Sequence, residues 1–409
     1  MNEAILNIEI QEFINSNLNS EITKLLFKGS PFQQVSIQDI TEQIESKNKC
    51  KNKLPTWFNT PNIYFPNKLN IEQTSSEVTA NYKSSLVSGE TLLDLTGGFG
   101  VDCFYFAKQV ENVIHCDWNQ ELSAIVEHNF KILGVHNIKT QPSNGIEYMS
   151  LQVKPVDWIY IDPSRRHDSK GKVFFLSDCE PNVPEHLNLI FKHSNQVLIK
   201  TSPLLDIKAG LDELTYVKEI HCVAVENDMK ELLWVLEKHY SSTIQVKTIN
   251  LSTKGNQVFN FNLNELENLA PVFSEPKAYL YEPNAALLKS GAFSLISTKL
   301  GVEKLHRNSH LYTSDHLVNS FPGRTFRIQK AIPYTKNNLK NLQLEKANIT
   351  TRNFPETVES IRKKHKIKDG GETYLFFTTL ENGTKIVLDC TKTVNDWKCL
   401  LSLLTVDCT

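Results

Sequence analysis

The sequence lacks any apolar run near the roughly 18–20 residues needed to cross a bilayer, which excludes a membrane-spanning helix. Its first residues, Met1-Asn2-Glu3-Ala4-Ile5, carry neither a basic stretch nor a following apolar one, so no secretory signal is expected. None of the eight cysteines stands in a C-x-x-C pair. Several fall inside apolar runs, which points to buried thiols in a reducing cytoplasm rather than disulfides or zinc. His306, His310 and His316 show no metal-ligand spacing either, so no metal is expected. Charge of one sign is missing too: 44 Lys and Arg against 46 Asp and Glu give −2, and any basic surface must be local. There is no internal repeat and no low-complexity segment.

What is present is length and alternation. A chain of 409 residues is too long for one core and predicts two or three domains. Residues 1–60 read as helical, with Ile8, Phe13, Ile14, Leu18, Ile22, Leu25, Leu26 and Phe27 near helical spacing. Pro55, Pro61 and Pro66 break that pattern and predict an extended linker. From Thr91 the character changes. Short β-rich runs, 91–95, 112–116, 137–140, 156–161 and 196–200, alternate with helical or loop connections, which predicts a parallel, doubly wound α/β sheet. The runs 217–225 and 231–236 flank Glu226-Asn227-Asp228 and predict a closing hairpin. Past a break at 264–276, residues 277–330 form a compact mixed segment. There Tyr279-Leu280-Tyr281-Glu282-Pro283-Asn284 leads into a helical 285–289. From 349 another α+β unit is expected, with a strand at 349–353, a helix at 355–367, and a hairpin turning at Asn382-Gly383.

Two motifs carry chemistry. The first is Leu92-Leu93-Asp94-Leu95-Thr96-Gly97-Gly98-Phe99-Gly100, a strand entering a glycine turn before a helical Val101–Ala107. Glycines here allow positive φ and close backbone approach to a ligand, and a following helix start favours negative charge. Asp94 either meets an ammonium group or orders the turn. Seventeen residues past Gly100, the strand Val113-Ile114-His115-Cys116 ends in Asp117, placed to accept two hydrogen bonds from ribose hydroxyls, with Trp118 beside it for a purine face. A nicotinamide dinucleotide site would need G-x-G-x-x-G, and Cys103 stands where the third glycine belongs. Gly98 and Gly100 keep the alternate spacing of a methyltransferase turn; Thr96 departs from it at the first glycine.

The second motif is Val156-Asp157-Trp158-Ile159-Tyr160-Ile161 running into Asp162-Pro163-Ser164-Arg165-Arg166. Strand carboxyl ends are where ligands sit in open α/β sheets, so Asp162 is expected to face the same crevice as Asp94 and Asp117. Pro163 fixes the backbone behind it, and the carboxylate with the Ser164 carbonyl can position an amine or hydroxyl and accept its proton. Arg165 and Arg166 suit phosphate contact equally well.

With these residues in view, the chain resembles class I methyltransferases. The pair DLTGGFGVD and IDPSRR is similar to a bacterial family of methyltransferases with a THUMP-like C-terminal domain. The likeness extends to Glu72-Gln73-Thr74-Ser75-Ser76-Glu77, Phe321-Pro322-Gly323-Arg324 and Thr351-Arg352-Asn353-Phe354-Pro355. It implies an α/β fold with a Rossmann-like class I methyltransferase sheet behind an N-terminal helical region. Small C-terminal α+β domains, ferredoxin-like and THUMP-like, follow. The division expected is 1–60 helical, 61–265 methyltransferase with its lead-in, 277–330 ferredoxin-like and 331–409 THUMP-like. The family implies S-adenosyl-L-methionine as cofactor, held by Asp94, Thr96, Gly97, Gly98, Gly100, Asp117, Trp118 and Asn144. Asp162, Pro163, Ser164 and Arg165 are the implied catalytic set, and RNA (tRNA or rRNA) is the implied substrate. Gln73 and Ser76 either line the methionine end or cap a local helix.

Residue chemistry narrows the reaction. C5 methylation of a pyrimidine needs a cysteine nucleophile, and neither Asp162-Pro163-Ser164-Arg165 nor Lys200-Thr201-Ser202-Pro203 holds one. Ribose 2′-O methylation in one family uses a Lys-Asp-Lys-Glu set, partly matched by Lys83, Asp162, Lys200 and Glu226 or Glu231. Transfer to a base nitrogen needs mainly alignment and leads. Residues 331–370 hold nine Lys or Arg against four Asp or Glu, and Arg362-Lys363-Lys364-His365-Lys366-Ile367-Lys368 is either a phosphate-binding stripe or a solvated helix end. The expected function is RNA methylation. The alternatives are a non-catalytic RNA-binding protein with a vestigial cofactor fold, or a methyltransferase of DNA or another substrate.

Overall fold

The computed structural model describes residues 1–152, 154–165 and 175–393. The chain divides into two compact units, Met1–Val225 with Lys230–Ser242 and Glu226–Met229 with Thr243–Thr409. Among the described residues no helix is long and apolar enough to cross a membrane.

The first unit opens with helices α1 (Ile8–Ser16), α2 (Ile22–Lys28), α3 (Ile37–Lys53) and α4 (Pro55–Asn59). Only part of the apolar spacing read from the sequence turns inward: Ile14 and Leu25 are buried, whereas Ile8 and Phe27 lie in solvent. Pro55 starts a helix rather than a linker, because the first helical position needs no N–H. After a turn at Pro61 and Asn62 the expected extension survives at 63–66. There the amides of Gln43 and Asn129 each pair with both backbone groups of Phe65 and Tyr64, as a neighbouring strand would. Two further helices, α5 (Lys68–Gln73) and α6 (Glu77–Ser84), are started by the side chains of Asn67 and Ser76, so Ser76 acts as a cap.

The sheet follows: β1 (Gly89–Asp94), α7 (Val101–Phe106), β2 (Val110–Cys116), α8 (Gln120–Ile132), β3 (Ile138–Gln141), α9 (Gly145–Ser150), β4 (Trp158–Ile161), α10 (Val183–His193), β5 (Gln196–Thr201), α11 (Ile207–Glu213), β6 (Val217–Val225) and β7 (Asp228–Glu237). Strand order is β3-β2-β1-β4-β5-β7-β6. The first five strands are parallel, and β7 lies antiparallel to β5. Strands β1 and β4 are neighbours, so the order reverses between them and opens a crevice at their carboxyl ends. Central strands buried on both faces read as continuous apolar runs, and all four residues of β4 are buried. Glu226 and Asn227 both adopt positive φ, the geometry of a two-residue hairpin turn.

The second unit holds the hairpin β8 (Gln245–Leu251) and β9 (Gln257–Asn262) and a seven-stranded sheet. The sheet's strands are β10 (Tyr279–Pro283), β11 (Glu303–Lys304), β12 (Tyr312–Ser314), β13 (Gly323–Pro333), β14 (Asn348–Arg352), β15 (Thr373–Thr379) and β16 (Lys385–Lys392). They run in the order β11-β12-β10-β13-β16-β15-β14, with only β14 and β15 parallel. Asn284 caps α12 (Ala285–Lys289), and α13 (Val358–His365) is shorter than the expected 355–367 because its Thr357 cap lies past Pro355. Gly383, at positive φ, turns the predicted hairpin. The six described cysteines are buried and none forms a disulfide; Cys399 and Cys408 lie outside the described residues.

Candidate active site

The glycine turn is built on β1 and closed from beneath by β2. Gly98 and Gly100 take positive φ, whereas Gly97 is required for space: a Cβ there would stand 2.3 Å from the ring of His115. His115 is fully buried, and burial lowers its pKa, so the imidazole is neutral. Its Nε2 carries the proton and donates to the Gly98 carbonyl at 3.1 Å, the acceptor available to it. Asp117 holds the turn from the other side, accepting Gly98 N–H at 2.9 Å and Asn119 N–H at 2.8 Å. Asp94 is buried, and its carboxylate is occupied inside the turn by Thr96 N–H at 2.9 Å and the Cys103 thiol at 3.0 Å. Of the two roles open to it, ordering the turn is the one these bonds perform. Burial pushes the Asp94 carboxyl up to about 7.

Thr96, the departure from the glycine pattern, has a physical reason. Its hydroxyl accepts the Asp162 N–H at 2.7 Å and lies 3.3 Å from Asp94 Oδ1. One side chain thus ties the glycine turn to the end of β4, a bond glycine cannot make. Gly145, first residue of α9, sits where a Cβ would strike the Leu95 carbonyl at 2.3 Å, which brings Asn144 beside the same turn. Asn144 Oδ1 caps α9. Trp118 is 82% exposed next to Asp117.

At the end of β4, Asp162 Oδ2 pairs with the Lys200 ammonium from β5, while Oδ1 takes no hydrogen bond among the described residues. Pro163 is buried behind it. Ser164 and Arg165 pair with Glu180 and Cys179 in a two-residue antiparallel ladder. Only the backbone of Arg165 is described, and Arg166 lies outside the described residues.

This arrangement was compared with known proteins. A crystal structure titled that of a "putative methyltransferase" from Porphyromonas gingivalis W83 matches with 32% identity and a TM-score of 0.86, covering 96% of this chain and 99% of that one. Residues 279–322 match a ferredoxin-like domain and residues 323–392 a THUMP domain-like family. The chain belongs to the class I methyltransferase family with a THUMP-like C-terminal domain. Two further matches cover less than half of this chain. An rRNA methylase from Streptococcus thermophilus matches at 14% identity and TM-score 0.29, over 40% of this chain and 94% of that one. TrmK of M. capricolum, bound to S-adenosyl-homocysteine, matches at 17% identity and TM-score 0.32, over 40% and 70%. Comparison with curated proteins returns no match.

Behind the crevice the methyltransferase carries a buried ionic cluster that sequence reading assembled only in part. Lys83, wholly buried on α6, holds both oxygens of Glu231 at 2.8 and 3.0 Å, Asp102 at 3.2 Å and the Ser75 hydroxyl at 3.0 Å. Asp102 also accepts from Ser75 and Tyr160, each at 2.8 Å. Burial alone would raise the Asp102 carboxyl, but Lys83, Lys200 and these hydroxyls outweigh it and hold it low. Burial likewise works against the Lys200 ammonium, yet Asp162, Glu231 and Asp102 together keep its pKa above the usual lysine value. Lys83, Asp162, Lys200 and Glu231 thus fall in one electrostatic cluster, while Glu226 binds Ser252 and Thr253 in the second unit. Asp102, Ser75, Tyr160 and His115 were not singled out from the sequence. The signal was there for Ser75, one residue before the Ser76 cap, and for Asp102, the last residue of DLTGGFGVD.

Proposed function

We propose that this protein transfers the methyl group of S-adenosyl-L-methionine to a base nitrogen of RNA, tRNA or rRNA. The observation that carries the reading is the Thr96 hydroxyl, which couples the glycine turn to Asp162. The residues present fit this cofactor. A Cβ at Gly98 would meet only the Thr96 carbonyl, at 3.8 Å, so backbone and ligand can approach closely there. Asp117 accepts one N–H on each oxygen and keeps further lone pairs for the ribose hydroxyls. The exposed Trp118 indole offers an apolar face to adenine, and Asn144 keeps its amide donor for the ring. When bound, the cofactor supplies an electrophilic sulfonium methyl group.

The chain's own residues then decide the acceptor. Asp162 Oδ1 accepts an N–H of the base and orients its nitrogen, with Lys200 fixing the carboxylate from the opposite oxygen. Pro163 and the Ser164–Arg165 ladder hold that backbone in place. A ribose hydroxyl would need a base to take its proton. Lys200, held as an ammonium by three carboxylates, donates and does not accept. In the Lys-Asp-Lys-Glu set the lysine thus cannot serve as base, which leaves Asp162 Oδ1 to take the proton from either nucleophile, and a base nitrogen, already nucleophilic, makes the lighter demand on it.

The RNA half of the reading is supported by the THUMP domain-like match and by the basic 331–370 segment. In that segment Arg362 pairs with Asp369 and Lys364 with Glu356, leaving Lys363, Lys366 and Lys368 exposed for phosphate. Incubation with radiolabelled S-adenosyl-L-methionine and RNA from cells lacking the gene is expected to label RNA. Nucleoside mass spectrometry should then place the methyl group on a base. Label on DNA or protein alone, or on ribose, would refute the proposal, and cofactor binding without turnover would favour the non-catalytic alternative.

A further inference from the structure

Three segments marked by the sequence have no part in the methyl-transfer site: 279–284, 321–324 and 351–355. In the second unit they converge on one carboxylate. Glu282, on β10, has a side chain only 4% exposed. Arg324 Nε donates to its Oε2 at 2.7 Å, and Nη2 reaches the same oxygen. Arg352, from the end of β14, donates Nε and Nη2 to Oε1 at 3.0 and 2.8 Å.

The other residues of these motifs are accounted for by packing. Phe321 stacks on Tyr281 with ring centroids 4.9 Å apart, the Pro322 carbonyl accepts Asn284 N–H, and Phe354 packs against Tyr334 and Phe377. Gly323 is required because a Cβ there would meet the Glu282 carbonyl at 2.1 Å, and this tight approach seats Arg324 directly opposite Glu282. The arginines differ from these. Their side chains are 39% and 41% exposed, and among the described residues neither has another hydrogen-bond partner. Each guanidinium has five N–H donors and spends two, so three face away from Glu282. The cluster carries two cations on one anion, an excess of one positive charge. Burial and the nearby Lys304 and Arg352 charges push His310 down to about 4, so it adds no charge at neutral pH.

We propose that Arg324 and Arg352, pre-oriented by Glu282, form a clamp for one phosphodiester of the RNA backbone. The inference rests on the RNA reading above. A phosphodiester carries a single negative charge, equal to the cluster's excess, and offers two anionic oxygens to two planar forks. The two Nη2 atoms share one carboxylate and so lie no more than about 8 Å apart, a span one tetrahedral anion can bridge.

The test uses the full chain and a fluorescein-labelled tRNA transcript, with anisotropy titrations from 50 to 200 mM KCl. The R324Q/R352Q variant should bind about tenfold more weakly, with the slope of log K against log salt reduced by about one. Calorimetry should show S-adenosyl-L-methionine binding unchanged. The R324K/R352K variant keeps the charges and the fold but not the forks; it should keep the slope and lose several-fold in affinity. Wild-type binding with both variants unchanged overturns the clamp alone. No RNA binding by the wild type overturns the clamp together with the RNA reading. Wild-type affinity for an acidic peptide rather than for RNA, lost in the variants, overturns the phosphodiester assignment.

Discussion

Placing at position 96 the glycine that alternate spacing would put there should damage this protein. The Thr96 hydroxyl is the partner of the Asp162 amide, at 2.7 Å, and glycine removes it. Leaving that N–H unpaired costs about 1–3 kcal/mol, and the added backbone freedom of glycine about 0.5–1 kcal/mol more. Thr96→Gly should therefore destabilise the first unit by about 1.5–4 kcal/mol. Thr96→Ser keeps the hydroxyl and should cost under about 1 kcal/mol. Four of the five tryptophans, Trp57, Trp118, Trp158 and Trp234, lie in the first unit, so urea unfolding followed by tryptophan fluorescence in a Trp397→Phe background reports on it. Calorimetry with S-adenosyl-L-methionine, run in parallel, should show weakened binding in Thr96→Gly and near-normal binding in Thr96→Ser. If Thr96→Gly is as stable as the wild type, or Thr96→Ser loses as much, the hydroxyl is not what couples the two motifs.

Asp94 gives a pH test. Its folded pKa of about 7 lies above the unfolded value, so between about pH 4 and 7 the folded state keeps a proton the unfolded chain has lost. Stability therefore falls as pH rises through that window, and Asp94→Asn should abolish roughly 2–3 kcal/mol of the decline between pH 5 and pH 8 in urea unfolding. Lys83→Met should destabilise by about 3–5 kcal/mol, because Glu231 and Asp102 would stay buried without their cation. Chemical denaturation checks this, and a neutral outcome would deny the cluster its role. Lys363, Lys366 and Lys368 are exposed; changing all three to Gln should flatten the salt dependence of RNA binding and leave melting temperature unchanged.

Much of the first unit was legible because strand signals are local. The apolar runs that became β4 and the middle of β5 are buried on both faces, and a fully buried strand leaves a continuous apolar stretch in sequence. The N-terminal helices were legible as helices but not by face. Spacing gave Phe27 the same standing as Leu25, yet only Leu25 finds a surface to pack on. The region after Pro55 was misread as wholly extended, since a proline that breaks one helix can begin the next.

The strand-end motifs announced that Asp94, Asp117 and Asp162 lie at one edge, because alternating β and α segments place successive strand ends on the same side of a parallel sheet. What each carboxylate does was not in the sequence. Asp94 is turned inward by Cys103 and Thr96, Asp117 clasps Gly98, and Asp162 is matched with a lysine 38 residues away. A hydrogen bond or an ion pair needs groups far apart in the chain to be placed to within a few tenths of an ångström. Only the packed sheet sets those distances, and so only tertiary structure explained the threonine in the glycine turn and joined three separate motifs at Glu282.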